Sequence, residues 1–330
     1  MKEEIQEDSS LLTLKTASEL LGCHPNTLRQ WDNNGTLVAV RLGARKDRYY
    51  RKADVLRLIG KSSYVKSAQE VTQVSEVRKG YFQEYAGILA QWGRLTSDSV
   101  FVDVPCGTGE MVKELVRRGF GRKFYAIDIN ADMIQAAQAS LELVSNAGTF
   151  ILGDAGDIAD LVPEKVDAIF CLNGFHIYLD RKEDFLRGCF AMLKPGGYLI
   201  FDVSTKGIRD QISQDFLEAE KGEFARLALE AGTTSQRPLW SNEQSLEAYR
   251  SLAMVHGFVV DETISIDKYM TTDEVVQSTI KIPGRLRPWL PGISDEKRME
   301  IFQNAHNYAV KETGITTVKH NRIFFIAKKP

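Results

Sequence analysis

From Val100 to Ser204 the chain alternates short apolar runs with amphipathic stretches, and that rhythm leaves few folds open to it. The runs "VFVDV", "KFYAID", "TFILGD", "VDAIFCLN" and "GYLIFDVS" are rich in β-branched and aromatic residues and too short for core helices. Between them, 111–118, 133–143 and 185–193 carry helical patterns. Strands alternating with helices predict βαβ units around a parallel sheet, an α/β domain. In open sheets of this kind ligands sit at the carboxyl ends of the strands.

One such end is the loop "PCGTG" after Val104, which feeds the N-terminus of a helix whose free N–H groups favour an anionic group. A dinucleotide fingerprint needs a small residue three positions past Gly109, for close helix–strand packing, and Val112 stands there. NAD therefore fits poorly. S-adenosylmethionine carries no pyrophosphate, so two small residues that let the backbone approach its methionyl part suffice, and Gly107 and Gly109 provide them. Further acids follow in register. Asp128 closes the second run, from where a carboxylate can accept from both ribose hydroxyls, and Asp154 closes the third, with Ala155 beside it. "NGFH" follows the fourth run, and "LKPGGYLIF" turns into the fifth.

At these residues, across roughly Tyr81 to Ser204 and on toward the C-terminus, the chain resembles the class I S-adenosylmethionine-dependent methyltransferases. The resemblance implies a Rossmann-like, doubly wound sheet and S-adenosylmethionine as cofactor. It assigns Asp103, Gly107 and Gly109 to the methionine part, Asp128 with Ile129 to the ribose, and Asp154 with Ala155 to adenine. Family members commonly have glycine where Pro105 stands; proline's fixed φ suits an extended loop there. Upstream, "RKGYFQEYAGILAQW" reads as an amphipathic helix, and relatives place a tyrosine just before the first strand over the methionine carboxylate, so Tyr81 or Tyr85 is a candidate lid residue. The other packs in the core.

Methyl transfer is an in-line displacement on a strong electrophile, so the protein chiefly aligns a nucleophile and excludes water. A base is needed only where the acceptor must lose a proton. His176 is placed for that by register and intrinsic pKa, or else stands as a hydrogen-bonded wall residue. Asn173 and Tyr178 read as binding residues. Amino-directed DNA methyltransferases carry Asn/Asp-Pro-Pro-aromatic after this strand, and cytosine-C5 enzymes carry Pro-Cys; "LNGFHIY" has neither. The expected acceptor is therefore a small molecule.

The first sixty residues have a different character. The overall net charge is −2, yet 11–61 hold ten basic against four acidic side chains, which leaves −8 for the rest. Only this head can meet a polyanion. Thr16 can cap a helix from Ala17 to Leu21 that Gly22 ends; Pro25 opens a second, with Leu28 and Trp31 on one face. This helix-turn-helix presents Asn26, Thr27 and Arg29 to a major groove, and a strand–turn–strand beyond Gly35 carries Arg45 and Arg48 at a basic tip suited to phosphate. The segment resembles the winged helix-turn-helix of the MerR and excisionase-like families, where "ASELLG", "TLRQW" and "RYYRKADV" are characteristic. That implies binding to double-stranded DNA as a homodimer; the same fold serving only for docking or dimerisation stays open.

The expected organisation is an acidic tail (1–10), the winged unit (11–60), a linker (61–76) and the methyltransferase domain (77–330), with capping insertions near 205–242 and 267–318 that hold Trp240 and Trp289. "EAYRSLAMVHGFVVDETIS" reads as a helix and strand of the sheet and "NRIFFIAKK" as its antiparallel edge. No run is long and apolar enough for a membrane span, the N-terminus lacks a secretory pattern, and four scattered cysteines indicate neither zinc site nor disulfide framework, so a cytoplasmic setting with reduced thiols and no metal is expected. Three function classes remain: an enzyme coupled to transcription, a regulator whose methyltransferase-like domain senses S-adenosylmethionine or another ligand without turnover, and an interaction protein whose head only mediates dimerisation.

Overall fold

The computed structural model describes residues 11–21, 25–33, 37–43, 45–51, 54–55, 68–141, 148–175, 181–203, 210–235, 245–282, 284, 286–287 and 289–330. Two compact units divide between Ser63 and Tyr64. In the first, β1 (Leu11–Thr13) runs into α1 (Leu14–Leu21), then α2 (Pro25–Asn33), β2 (Val40–Leu42) and β3 (Asp47–Arg51). The expected cap is corrected: α1 begins three residues before Ala17, and Thr13, not Thr16, caps it, its Oγ1 accepting the Thr16 N–H at 3.1 Å. Thr13 can do this because the residues before it are held as a strand, paired antiparallel with Tyr49–Arg51. Leu28 and Trp31 are buried on one face of α2, and the Tyr50 hydroxyl donates to the Leu28 carbonyl at 3.0 Å, tying the wing to that helix.

The second unit opens with α3 (Ala68–Trp92), whose start lies inside the stretch read as linker. There follow β4 (Val100–Asp103), α4 (Glu110–Arg117), β5 (Lys123–Asp128), α5 (Ala131–Leu141), β6 (Gly148–Leu152), a 3-10 turn (Ala155–Asp157), α6 (Ile158–Leu161), β7 (Val166–Cys171), α7 (Lys182–Met192) and β8 (Leu193–Val203). The remainder is α8 (Gln211–Glu230), α9 (Leu246–Val255), β9 (Val259–Thr271), α10 (Thr272–Ile280), α11 (Asp295–Thr313) and β10 (Thr317–Lys328). The seven strands order as β6-β5-β4-β7-β8-β10-β9. From β6 to β8 neighbours are parallel, while β10 is antiparallel to both its neighbours.

The C-terminal strand is thus not the edge, as its position last in the chain suggests; β9 is. The reason is written in the two patterns. In β10, Ile323, Phe325 and Ala327 enter the core on one face of the sheet, and Phe324 and Ile326 enter the core on the other. A strand apolar on both faces must be flanked and covered on both sides. The outer strand, "VVDETISIDKYMT", alternates exposed and partly covered residues along most of its length and tolerates the edge.

Beyond the sheet, α8, α10 and α11 form a cap with its own small core around Phe224, Leu286, Ile301 and Phe302. Trp289 packs against that core. Between α8 and α11, His306 Nδ1 meets Glu220 at 2.8 Å, both side chains buried. A polar tie comes from Arg287: its guanidinium, 6% exposed, binds Glu70 at the start of α3 and Asp295 at the start of α11. The cap is joined to the sheet where the Lys319 N–H donates to Ser213 Oγ at 2.7 Å.

Candidate active site

The carboxyl edge of β4 turns into the opening loop through a cis peptide between Val104 and Pro105. The loop is pinned on both sides: the Val104 N–H donates to Phe170 O of β7 at 2.9 Å, and the Cys106 N–H to Ile127 O of β5 at 2.8 Å. It therefore straddles the strands where carboxyl-end ligands bind. Gly109 has φ +79 and caps α4, and a Cβ there would meet Leu141 Cδ1 at 2.9 Å and Ala137 Cβ at 3.2 Å, so glycine sets the closeness of α5. Glu110, buried in the first turn of α4, accepts from Ser75 Oγ of α3.

Asp103 and Asp128 end adjacent parallel strands. Asp128 Oδ2 accepts the Gly107 N–H at 2.9 Å and Oδ1 the Asn130 N–H at 2.9 Å, so two backbone donors fix the plane of its carboxylate. Asp103 is fully buried; burial, and after it the charge of Asp128, push its carboxyl well above the ordinary range. An acid so placed gains most from a cation delivered by a ligand. Asp154 lies one strand farther out, its Oδ1 accepting the Gly156 N–H at 2.8 Å to cap the 3-10 turn that begins at the buried Ala155. Ile129, half-buried, follows Asp128 directly. The structure thus brings Asp103, Gly107, Gly109, Asp128, Ile129, Asp154 and Ala155 together along one edge. A buried acid beside another acid, with small residues at the loop, fits an ammonium-bearing methionyl group, and the acids at the next two strand ends fit a nucleoside.

Asn173 follows β7 with φ +56, an uncommon left-handed backbone for a residue other than glycine. Its N–H donates to Asp202 Oδ1 at 2.5 Å, and its Oδ1 accepts from Arg322 Nη2. Asp202 also accepts the Tyr85 hydroxyl at 3.3 Å and pairs with Arg322 Nε at 3.2 Å. Burial opposes the charge of Arg322, but Asp202 and Tyr85 more than compensate and raise its pKa; burial, then Asp202, raise that of Tyr85. This network was not read from the sequence. Asp202 ends an apolar run just as Asp103 and Asp128 do, and Arg322 stands two residues before Phe324 on the same face, so the signals were present.

Tyr81 sits beside these groups, its hydroxyl 3.5 Å from Met270 Sδ and its ring 4.4 Å from Lys268 Nζ. Tyr85 is the buried one, packed edge-on against Phe324 at 4.5 Å, so of the two tyrosines it takes the core position. Next to Asn173, Gly174 lies so close to Pro105 that a Cβ would fall 2.4 Å from Cδ and 2.6 Å from Cγ of the ring. The departure at Pro105 is therefore matched by a glycine in the neighbouring loop. His176, Tyr178 and Trp240 lie outside the described residues, as do Gly22 and residues 61–67 of the stretch read as linker; of Thr27 only the backbone is described.

In the N-terminal unit, Asn26 and Arg29 are exposed on α2 and joined by a 2.5 Å hydrogen bond, and Arg45 is exposed at the wing tip. Arg48 is half-buried: its Nε donates to Asp32 Oδ2 at 2.6 Å, and Asp32 also holds Arg41 and the Ala39 N–H. Arg48 thus ties the wing to α2 besides contributing charge.

Residues 102–201 match the family described as methyltransferase domain, and residues 12–59 the MerR HTH family regulatory protein. A protein of Geobacillus sp. (strain WCH70) named as a methyltransferase is 29% identical over 247 residues, 73% of this chain and 88% of its own length. The malonyl-[acyl-carrier protein] O-methyltransferase of Halalkalibacterium halodurans is 24% identical over 66% of this chain and 79% of its own. Among solved structures, the YcgJ protein of Bacillus subtilis superposes with a TM-score of 0.51 at 14% identity, covering 74% of this chain and 98% of that one; this likeness bears on the fold alone. Strand order, carboxyl-edge site and family matches define a class I S-adenosylmethionine-dependent methyltransferase domain. Before it in the chain stands a MerR-type helix-turn-helix.

Proposed function

We propose that the protein transfers the methyl group of S-adenosylmethionine to a small-molecule acceptor, and that its N-terminal unit binds double-stranded DNA and couples this activity to transcription. The observation that carries the first half is the meeting of Asp103, Gly107 and Asp128 at the ends of two adjacent strands. Asp103 takes the methionyl ammonium, Gly107 and Gly109 admit the methionyl chain, Asp128 takes the ribose hydroxyls, and Asp154 with the Ala155 N–H takes adenine. When bound, the cofactor supplies a sulfonium methyl open to in-line attack. Asn173, held in its left-handed turn by Asp202 and Arg322, borders the acceptor side, and Tyr81 covers it.

The loop after β7 lacks the base-methylating patterns, which supports a small acceptor rather than DNA. The exposed Arg29 and Arg45 and the +6 charge of 11–61 support the second half. Incubation with methyl-labelled S-adenosylmethionine and cell extract tests turnover: labelled small molecules are expected. Tight binding without any product would favour the reading as a sensor. A salt-dependent shift of the protein's own upstream DNA, weakened by Arg45→Ala, tests the head; no shift at low salt overturns it.

A further inference from the structure

The turn that follows β6 is built onto α7. Arg181, immediately before that helix, donates through Nη1 to Asp157 Oδ1 at 2.7 Å and through Nε to Asp184 Oδ2 at 2.9 Å, so one guanidinium joins the 3-10 turn to the first turn of α7. Its side chain lies against Gly156, where a Cβ would fall 3.0 Å from Arg181 Cζ and 3.1 Å from Nε. Farther along α7, a Cβ on Gly188 would fall 2.6 Å from Ile158 Cγ2, so helix and turn meet closely a second time. Asp157 is half-buried. Burial raises its pKa, Arg181 pulls it back, and the charges of Asp154 and Asp160 push it up again. The charge of Arg181 is felt at Asp154 as well.

Both groups assigned above to adenine belong to this turn. The Asp154 carboxylate accepts and the Ala155 N–H donates, and adenine offers the converse, a 6-amino donor and the N1 acceptor. A 6-oxopurine reverses both contacts, with an acceptor at position 6 and a donor at N1. A site built from paired polar groups rejects such a ligand strongly, because its own groups are then left unpaired. That rejection lasts only while acceptor and donor hold their places together. The Asp154 cap on the Gly156 N–H fixes the start of the turn, and the grip of Arg181 on Asp157 fixes its far end. We propose that Arg181 is a positioning residue of the cofactor site: by holding Asp157 across Gly156 it keeps Asp154 and Ala155 in register, and so sets the preference for adenine over a 6-oxopurine. The inference rests on the methyltransferase reading and adds to it a residue that acts through the turn and not on the base.

Calorimetry on the full chain with S-adenosylhomocysteine and S-inosylhomocysteine, which share homocysteine and ribose and differ only in the base, provides the test. The parent is expected to bind the adenine ligand roughly a hundredfold or more tightly. Arg181→Met keeps an apolar stem over Gly156 and removes the charge; the ratio should fall by about tenfold or more, through weaker binding of the adenine ligand, with the inosine ligand within about threefold of its parent value. Asp157→Asn keeps the shape and removes the charge that Arg181 grips, so it should lower the ratio in the same direction by about threefold or more, and the double variant should lose no more than Arg181→Met alone. Thermal melts check folding, and if Arg181→Met does not fold, Asp157→Asn decides. A folded variant with an unchanged ratio, or one that loses both ligands equally, overturns the assignment of Arg181 and leaves the methyltransferase reading standing. A parent that binds both ligands equally also overturns it. A parent that binds neither defeats that reading and this inference with it.

Discussion

Replacing Gly174 by alanine tests how the two loops at the carboxyl edge are built. The added Cβ would lie 2.4 Å from Pro105 Cδ and 2.6 Å from Cγ, about 1 Å inside ordinary contact, while Cys171 Sγ at 3.7 Å stays comfortable. The proline ring has no flexible end to swing aside, so the backbone of one loop must move. Overpacking of this kind costs about 1–3 kcal/mol. Pro105 also sets the loop that brings Gly107 to Asp128, so the same shift should weaken cofactor binding. Urea denaturation read by circular dichroism gives the stability change, and calorimetry with S-adenosylmethionine gives the affinity. Pro105→Gly removes the atoms that the new methyl meets, so the double variant should lose less than the sum of the singles, by roughly 1 kcal/mol or more. A Gly174→Ala protein within about 0.5 kcal/mol of the parent, the scatter expected of a neutral surface substitution, would refute the reasoning.

Arg287→Met leaves Glu70 and Asp295 facing each other without their shared cation; because both acids keep some exposure, a loss of about 2–3 kcal/mol is expected in urea melts, and one under about 0.5 kcal/mol would mean that the cap is held by its apolar core alone. Asp32 gives a pH signature. Burial alone would raise its pKa, but the Ala39 N–H, Arg48 and Arg41 outweigh burial and lower it. A depressed folded-state pKa means stabilisation present above the ordinary aspartate value and lost as pH falls through the lower one. The N-terminal unit should therefore lose stability under strongly acid conditions, and Asp32→Asn should flatten that limb; an unaltered acid limb would count against the tie.

Much of this architecture was legible because β4, β5, β7 and β8 are largely buried strands, whose apolar runs end where the sheet ends. "KFYAID" is β5 residue for residue. Edge assignment failed because chain order says nothing of spatial order: only the two-sided apolar pattern of "RIFFIA" shows that β10 must lie between neighbours. Thr13 was missed as a cap because the strand that positions it is three residues long and paired with residues nearly forty positions away. The acids of the site could be read one by one as strand ends, and Asp202 obeys the same rule. What could not be read is that Asp202 is filled by Tyr85, Asn173 and Arg322, since these three converge on it from α3, the loop after β7 and β10. Nor does the sequence show that Pro105 needs Gly174, a contact between loops almost seventy residues apart.

The central claim is that Asp128, oriented by the Gly107 and Asn130 N–H groups, receives the ribose of S-adenosylmethionine. Titration calorimetry of the parent and of Asp128→Ala, each checked for folding by thermal melt, addresses it directly. Loss of charge-assisted hydrogen bonds worth about 1.5–3 kcal/mol each predicts at least a tenfold weaker Kd in a folded variant. A parent protein that does not bind S-adenosylmethionine, or a folded variant that binds it equally well, would contradict the account.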